Sequence, residues 1–235
     1  MLLKVRNDDV LVHSSAFFTP GLEDKPDEDY EPTKRLIQLH TIIAKYNNVM
    51  HVPAILTNDI QKRPGAVEYV KQETKLHRMQ PEVHGKTHIN YNTRERGIRR
   101  DSDPKTWTAE ETKAAKEWVT KDIREARDWI ATTFGRMPKY WYTPWGAEAL
   151  HLYEVAYDLN LILVGTKVNY NPIRNVYTKL ESGQISADRL NGLEIFLHWW
   201  DREWDRHNRL ERICATFEYG SWENAKSTFP KVFRD

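Results

Sequence analysis

The feature that most constrains the fold of this chain is its regular alternation of short apolar segments with longer amphipathic ones. Residues 2–5 and 49–56 are apolar runs of strand length. The apolar positions of residues 33–46 recur at helical spacing after a threonine suited to an N-cap, and residues 64–75 form a second predicted helix. Strands that alternate with helices are typical of parallel sheets, in which each helix crosses from one strand to the next.

The same alternation continues in the second half of the chain. Thr108-Ala-Glu-Glu111 matches the capping-box pattern and predicts a long helix that runs to about residue 133 and stops at Gly135. The other predicted elements are strands at 139–142, 161–164 and 193–197 and helices at 147–159, 199–212 and 222–225. No repeat, low-complexity tract or linker interrupts them. We therefore predict one α/β domain over residues 1–235, whose parallel sheet forms a TIM-like barrel.

The composition narrows the classes of function. The charged residues nearly cancel to a net charge of +1, which argues against a general nucleic-acid-binding protein, since such domains are usually basic. Cys214 is the single cysteine and cannot form an intrachain disulfide. Charges within the first nine residues are unlike a signal peptide, and no apolar run approaches the roughly 18 residues that span a bilayer. The sequence predicts a cytoplasmic or otherwise soluble protein without a membrane partner, and it does not specify the oligomeric state.

Two histidines in the segment Pro81-Glu-Val-His-Gly-Lys-Thr-His-Ile-Asn-Tyr91 are candidate metal ligands. His84 and His88 are four positions apart, and on one turn of helix residues at this spacing share a face, so both imidazoles would reach one ion. A catalytic site normally takes a third ligand from elsewhere and keeps one position open for water. The pair alone is weak evidence in a chain with nine histidines.

Polar groups at the ends of other predicted strands would complete such a site. Asp8 and Asp9 follow the first strand, and His198 follows the last one. Because the carboxyl ends of parallel strands converge on one face of a barrel, we expect these groups to lie near the two histidines. Two histidines and one carboxylate leave room for a water on the metal, and a second carboxylate is suited to act as general base. His198 is a candidate general acid.

Four short motifs occur in a defined order. The first is Asp-Asp after the first strand, and the second is His-x-x-x-His after the third. The third is the turn Pro144-Trp-Gly146, which follows a long helix and the segment Phe134-Gly-Arg-Met-Pro-Lys139. The fourth is Leu197-His198 at a late strand end. This order resembles the NodB-homology polysaccharide deacetylases, which are carbohydrate esterase family 4 and its relatives. The resemblance spans about residues 2–200. It implies a distorted (β/α) barrel that removes acetyl groups from N-acetylated sugars with a divalent metal, zinc first, with cobalt, nickel or manganese as alternatives.

The resemblance also implies a role for each catalytic motif residue. Asp9 would bind the metal together with His84 and His88. Asp8 would be the general base that deprotonates water, and His198 would be the general acid that protonates the departing sugar amine. The expected reaction is hydrolysis of an acetamide.

The substrate-binding residues implied by the resemblance lie mainly in the turn after the fourth strand. The backbone N–H of Trp145 would help to hold the oxyanion, and Tyr142, Pro144 and Gly146 belong to the same turn. Tyr91 is expected to line the pocket because it follows the metal-binding segment. The family's turn commonly begins with an arginine that orients the base, and this sequence lacks that arginine.

Other interpretations of the same residues stay open. The chain could be a metal hydrolase of another C–N or ester bond, because a fold does not specify a substrate. It could also be a catalytically idle glycan-binding domain, in which the missing arginine reflects lost turnover. Without the histidine motif, Asp8 and Asp9 would suit an ordinary strand-end turn, and His198 would suit a buried structural histidine.

Two further clusters are predicted to be structural. Large aromatic side chains fill cores more often than they bind ligands, so we expect packing for the tryptophans of residues 199–204. The arginines of residues 94–100 lie in a stretch without periodicity. We expect that stretch to be an exposed, solvated loop rather than an anion site.

Overall fold

The structure, a computed structural model, describes residues 3–10, 32–97, 101–165, 194–198 and 208–218. The side chains of Asp9, Pro32, Phe196, His198 and Thr216 lie outside this description. Strands β1 to β6 are Leu3–Val10, Val49–Leu56, Glu82–Gly85, Tyr140–Tyr142, Ile162–Val164 and Glu194–His198. Helices α1 to α6 are Pro32–Ile43, Thr57–Ile60, Pro64–Lys75, Ala109–Phe134, Leu150–Asp158 and Arg209–Glu218. None of the described helices combines the length and hydrophobicity needed to cross a membrane.

The described strands form one sheet in the order β5-β4-β3-β2-β1-β6, and every neighbouring pair is parallel. From β1 to β5 each strand is added on the same side of the previous one, and β6 lies on the other side of β1. A barrel requires this placement, because a late strand returns beside the first. The predicted α/β fold with a distorted (β/α) barrel is confirmed.

The sheet is strongly curled. The Tyr142 hydroxyl on β4 donates a hydrogen bond of 2.7 Å to Glu194 on β6. Four strand spacings separate β4 from β6 in the sheet order, a distance of roughly 19 Å in a flat sheet. The Arg6 guanidinium on β1 likewise lies 4.5 Å from the centroid of the Tyr142 ring. Side chains from distant strands therefore meet across the interior of the barrel.

The two faces of the sheet have different chemistry. Leu3 and Val5 of β1 belong to an apolar core with β6, α1 and α6, while Val83 and Trp141 belong to a second core with α3, α4 and α5. The alternate residues of β1 face the interior, where they contact polar and aromatic side chains of β4 and β6. A polar layer thus fills part of the barrel beneath the carboxyl ends of the strands.

Several predicted elements are confirmed at their predicted bounds. Strand β2 and helix α3 match their predictions. Helix α4 begins with a complete capping box, in which Thr108 Oγ1 accepts from the Glu111 N–H over 3.1 Å and Glu111 Oε2 accepts from the Thr108 N–H over 2.8 Å. The helix stops at Gly135, whose φ of 70° is the left-handed conformation that glycine adopts readily.

Other bounds differ from prediction for identifiable reasons. Strand β1 continues to Val10 instead of stopping at residue 5, because Arg6 and Asp8 are paired with each other inside the barrel. Helix α5 begins at Leu150 rather than 147, because Ala149 is extended with φ −156°. Helix α6 reaches Glu218, beyond the predicted end at residue 212. The predicted helix at 222–225 lies outside the described residues.

Candidate functional site

An irregularity in β1 lies where the sequence places its paired carboxylates. The register of β1 on β2 shifts between Asn7 and Val10, so that Asp8 and Asp9 together stand opposite one residue of β2. On its other side, Asp8 is the Cα partner of His198 in β6. Bulges redirect side chains and are frequent beside active sites. The backbone therefore brings the predicted base and the predicted acid to neighbouring positions.

Asp8 is a buried carboxylate with an arginine partner. It is 8% exposed, and its Oδ1 lies 2.9 Å from Nε of Arg6, which is 2% exposed. Nη1 of Arg6 also lies 3.1 Å from Oε1 of Glu194. Burying a carboxylate is costly unless a charge or a donor compensates it, and Arg6 supplies the opposite charge. Arg6 belongs to none of the sequence motifs. The spacing of Lys4, Arg6 and Asp8 at every second position of a strand is the signal that indicates a shared face.

His84 is the last but one residue of β3 and is 3% exposed. Its Nδ1 lies 2.6 Å from the carbonyl oxygen of Tyr142. Because a carbonyl only accepts, Nδ1 carries the hydrogen, and in the neutral ring Nε2 keeps its lone pair. Metal-binding histidines are commonly fixed in this way, with one nitrogen donating to a carbonyl and the other bound to the ion.

His88 lies close to His84, but not through the predicted turn of helix. Strand β3 ends at Gly85, and the chain bends through residues 86–88. The two imidazole centroids are 5.4 Å apart, and the rings are tilted by 43°. The helical basis of the prediction is therefore corrected, because a bend after the buried strand brings the rings together.

The segment between the two histidines is held at Lys86. The Lys86 N–H donates to the Tyr91 hydroxyl over 3.2 Å, and the Lys86 carbonyl accepts from the Asn58 N–H of α2 over 2.9 Å. Gly85 leaves room for the Tyr91 side chain, since a Cβ on Gly85 would lie 2.5 Å from Tyr91 Oη. The bend that presents His88 is thus tied to both α2 and the core.

Tyr91 is a core residue rather than a pocket residue. It is fully buried, stacks on Trp118 and meets Trp141 edge to face. Burial, together with the charge of Asp122, raises the pKa of its hydroxyl. The expectation that Tyr91 lines the pocket is corrected, because its side chain is buried and its hydroxyl holds the bend after Gly85. Adjacency in sequence does not specify the direction of a side chain.

The turn after β4 presents an exposed aromatic ring beside His88. Trp145 adopts φ 62° and ψ 11°, is 56% exposed and has its ring centroid 5.2 Å from that of His88. A left-handed non-glycine residue costs about 1–3 kcal/mol and persists only where its surroundings impose it. Gly146 follows with φ 61°, and the Thr143 N–H donates to the Val164 carbonyl over 3.2 Å, which joins the turn to β5.

Two predicted substrate-binding residues of this turn lie beneath the site. Tyr142 is 1% exposed, and Pro144 is also buried. Tyr142 connects three neighbours, since its carbonyl accepts from His84, its hydroxyl donates to Glu194 and its ring lies under Arg6. The expectation of substrate contact is corrected for Tyr142 and Pro144, which support the site from the barrel interior.

Two arginines of the exposed stretch after Tyr91 pair with carboxylates, among them two of α4. Arg94 lies 2.9 Å from Asp101 and 2.8 Å from Glu111. Arg96 lies 2.9 Å from the buried Asp122 of α4. The two arginine side chains are 40% and 48% exposed, as expected of an exposed loop, and their charges are matched by carboxylates. The other two arginines of the stretch and the tryptophans of residues 199–204 lie outside the described residues.

The described part of the predicted metal site consists of His84 and His88. His84 has a defined tautomer that suits a ligand, and His88 approaches it closely. No group of three His, Cys, Asp or Glu side chains among the described ones is arranged to hold a metal. The third predicted ligand, the Asp9 carboxylate, belongs to the undescribed side chains. The metal site stays a prediction.

Comparisons with known proteins gave matches among solved structures. No protein-family model matches the chain, and neither does any curated protein sequence. A family 4 carbohydrate esterase from Streptomyces lividans, in complex with acetate, matches with 12% identity and a TM-score of 0.48 over 98% of this chain and 88% of the other. The peptidoglycan deacetylase PdaC from Bacillus subtilis matches with 12% identity and a TM-score of 0.48 over 97% and 92%.

A pseudoenzyme of carbohydrate esterase family 4 from Bacillus anthracis also matches, with 10% identity and a TM-score of 0.46 over 98% of this chain. A mutant of this pseudoenzyme with restored enzymatic activity has 10% identity and a TM-score of 0.49. The chain spans only 59% and 62% of the lengths of these two structures. The Streptomyces lividans esterase and the Bacillus anthracis pseudoenzyme are both members of carbohydrate esterase family 4.

Proposed function

We propose that this protein is a metal-dependent hydrolase that removes acetyl groups from N-acetylated sugars of a polysaccharide or glycan. The observation that carries the proposal is the tautomer of His84, whose Nδ1 is committed to the Tyr142 carbonyl and whose ring lies beside His88. Such a pair at the carboxyl end of a barrel strand is suited to bind a metal. The buried carboxylate Asp8 belongs to the corresponding end of β1.

His84, His88 and Asp9 would hold the metal. Imidazole nitrogen and carboxylate oxygen are ligands that zinc accepts readily, and cobalt, nickel and manganese also bind to such sets. When bound, a divalent cation would supply Lewis acidity, which polarises a carbonyl and lowers the pKa of water.

The residues of the chain would carry the proton transfers. Asp8 would accept a proton from the attacking water, whose oxygen forms the new bond to the acetyl carbon. The Trp145 N–H would donate to the developing oxyanion. His198 would give a proton to the nitrogen as the C–N bond breaks, so that one water and one acetamide yield acetate and the sugar amine.

A direct test is the release of acetate from N-acetylglucosamine oligomers. Protein treated with a chelator and then resupplied with zinc should release acetate only after metal addition. Asp8→Asn and His84→Gln should each reduce the rate by about 10²-fold or more, because each removes a proposed chemical group. His77→Asn changes an exposed histidine of left-handed φ and should leave the rate unchanged. Metal-free protein whose acetate release survives Asp9→Ala would contradict the proposal.

A second candidate is a glycan-binding domain without turnover. The observation that favours it is the exposed Trp145 ring, because an exposed aromatic face suits the apolar face of a sugar. Such a domain would bind N-acetylglucosamine oligomers with or without metal, release no acetate and lose affinity in Trp145→Ala. O-acetyl esters and other amides should be tested in the same assay. Hydrolysis of one of them would identify a hydrolase with a similar site but a different substrate.

A further inference from the structure

Arg6 lies in the barrel interior between Asp8, the proposed general base, and Tyr142, whose carbonyl orients His84. It is 2% exposed, and its Nε and Nη1 lie 2.9 Å from Asp8 Oδ1 and 3.1 Å from Glu194 Oε1 respectively. The guanidinium therefore joins carboxylates of β1 and β6. Its rigid planar fork presents donors in several fixed directions, which the single ammonium group of lysine does not reproduce.

The same guanidinium also contacts the turn that follows β4. Its carbon lies 4.5 Å from the centroid of the Tyr142 ring, within the range of a cation–π interaction. The Tyr142 hydroxyl donates to Glu194, the second carboxylate partner of Arg6. The position of Tyr142 in turn determines where its carbonyl receives the His84 Nδ1–H. Asp8 and His84 are thus connected through one buried cation and one tyrosine.

We propose that Arg6 is a positioning residue that orients the Asp8 carboxylate and holds it in register with the Tyr142 carbonyl that orients His84. Arg6 would supply from β1 the arginine that is missing from the turn at residues 142–146. This inference rests on the proposed function, since the roles of Asp8 and His84 come from it. The motif departure noted in the sequence would then be a relocation of the arginine rather than a loss.

The kinetic test compares Arg6→Lys and Arg6→Ala with the wild type, using zinc-loaded protein and N-acetylglucosamine oligomers. Arg6→Lys keeps the charge but loses the fork, so kcat should fall by about 10²-fold while KM changes by less than about threefold. Added guanidinium salt, well below unfolding concentrations, should partly restore Arg6→Ala. A merely structural role would produce no such rescue.

The matched control is Arg212→Lys, which alters another buried arginine, 4% exposed, in α6, to which no catalytic or metal-binding role is assigned. It should leave kcat and KM near the wild-type values. Full kcat in Arg6→Lys, or an equal loss in Arg212→Lys, would overturn the proposal.

A second measurement does not depend on turnover. In a double-mutant cycle on urea unfolding, Arg6→Ala and Asp8→Asn should be coupled by about fivefold or more in the unfolding equilibrium constant. Additive effects would overturn the positioning of Asp8 by Arg6 whether or not the enzyme is active. If the wild type releases no acetate under any metal, the proposed function fails, and the cycle alone decides whether Arg6 holds Asp8.

Discussion

Gly85, in the proposed metal-binding segment, has no room for a side chain. A Cβ at this position would lie 2.5 Å from Tyr91 Oη and 2.9 Å from a carbon of the same ring. The Tyr91 ring cannot shift away easily, because it packs against Trp118 and Trp141 in the core. Steric crowding therefore explains why a glycine lies between the two predicted ligands. A larger residue would displace the bend that leads to His88.

We expect Gly85→Ala to destabilise the protein by about 1–3 kcal/mol, the usual cost of overpacking, and to weaken zinc binding. Urea unfolding and zinc titration measure the two effects. Gly65→Ala is the control, because a Cβ there would meet nothing within 4 Å. Adding Tyr91→Phe should recover part of the Gly85→Ala loss, since it removes the closest atom. Equal effects of the two alanine variants would contradict this explanation.

At the scale of elements, α1, β2 and α3 are joined by a buried chain of titratable groups. His51 and His40 face each other with their Nδ1 atoms 3.1 Å apart, and His40 Nε2 lies 3.1 Å from Glu73 Oε2. With both rings neutral, His51 donates to His40 and His40 donates to Glu73. Protonation of both rings would place two N–H groups face to face. Arg78, 3.7 Å from Glu73, also faces the cluster.

This cluster should make stability depend on pH. Burial lowers the pKa of His51 well below its ordinary value of 6.5, and the charge of His40 lowers it further. Burial also lowers the pKa of His40, although Glu73 opposes the effect. Below pH 6.5 the unfolded chain binds protons that the folded chain does not, so stability falls as pH decreases and is fully present above that value.

We expect the free energy of unfolding to fall between pH 7 and pH 5 by up to about 1.4 kcal/mol per pH unit for each proton. Urea unfolding in a buffer series measures the slope. His51→Gln should flatten it, whereas His77→Asn, at an exposed position, should not. Burial also lowers the pKa of His151, which leaves a residual slope in the same direction. An unchanged slope in His51→Gln would refute this origin.

At the scale of the whole molecule, the proposed metal would connect the carboxyl ends of two strands that are not neighbours. Asp9 belongs to β1 and His84 to β3, with β2 between them. A ligand that binds only the folded protein stabilises it in proportion to the logarithm of its concentration over Kd. Metal binding should therefore appear as thermal stability of the entire fold.

We expect zinc at about 100 times its Kd to stabilise the protein by roughly 2.7 kcal/mol, and chelation to remove this gain. Thermal unfolding with and without zinc measures the shift in Tm. His84→Gln and Asp9→Ala should abolish the shift, while His77→Asn should retain it. A zinc-dependent shift that survives both ligand substitutions would place the metal elsewhere.

The sequence by itself determined the features that local chemistry encodes. The capping box of Thr108 and Glu111, the stop at Gly135 and the bounds of β2 and α3 depend on residues within a few positions of one another. The alternation of these elements was sufficient to predict a parallel sheet curled into a barrel, because few arrangements bury strands and helices that alternate.

Only the tertiary structure decided how the candidate site is supported. His84 meets the Tyr142 carbonyl across 58 positions, and Arg6 meets Glu194 across 188. No local pattern specifies such partners, because they depend on how far the sheet curls. The same long-range packing buries Tyr91 and brings His88 to His84 without a helix. Sequence motifs predict the residues that would carry the chemistry, whereas the residues that hold them in place are determined by the folding of the barrel.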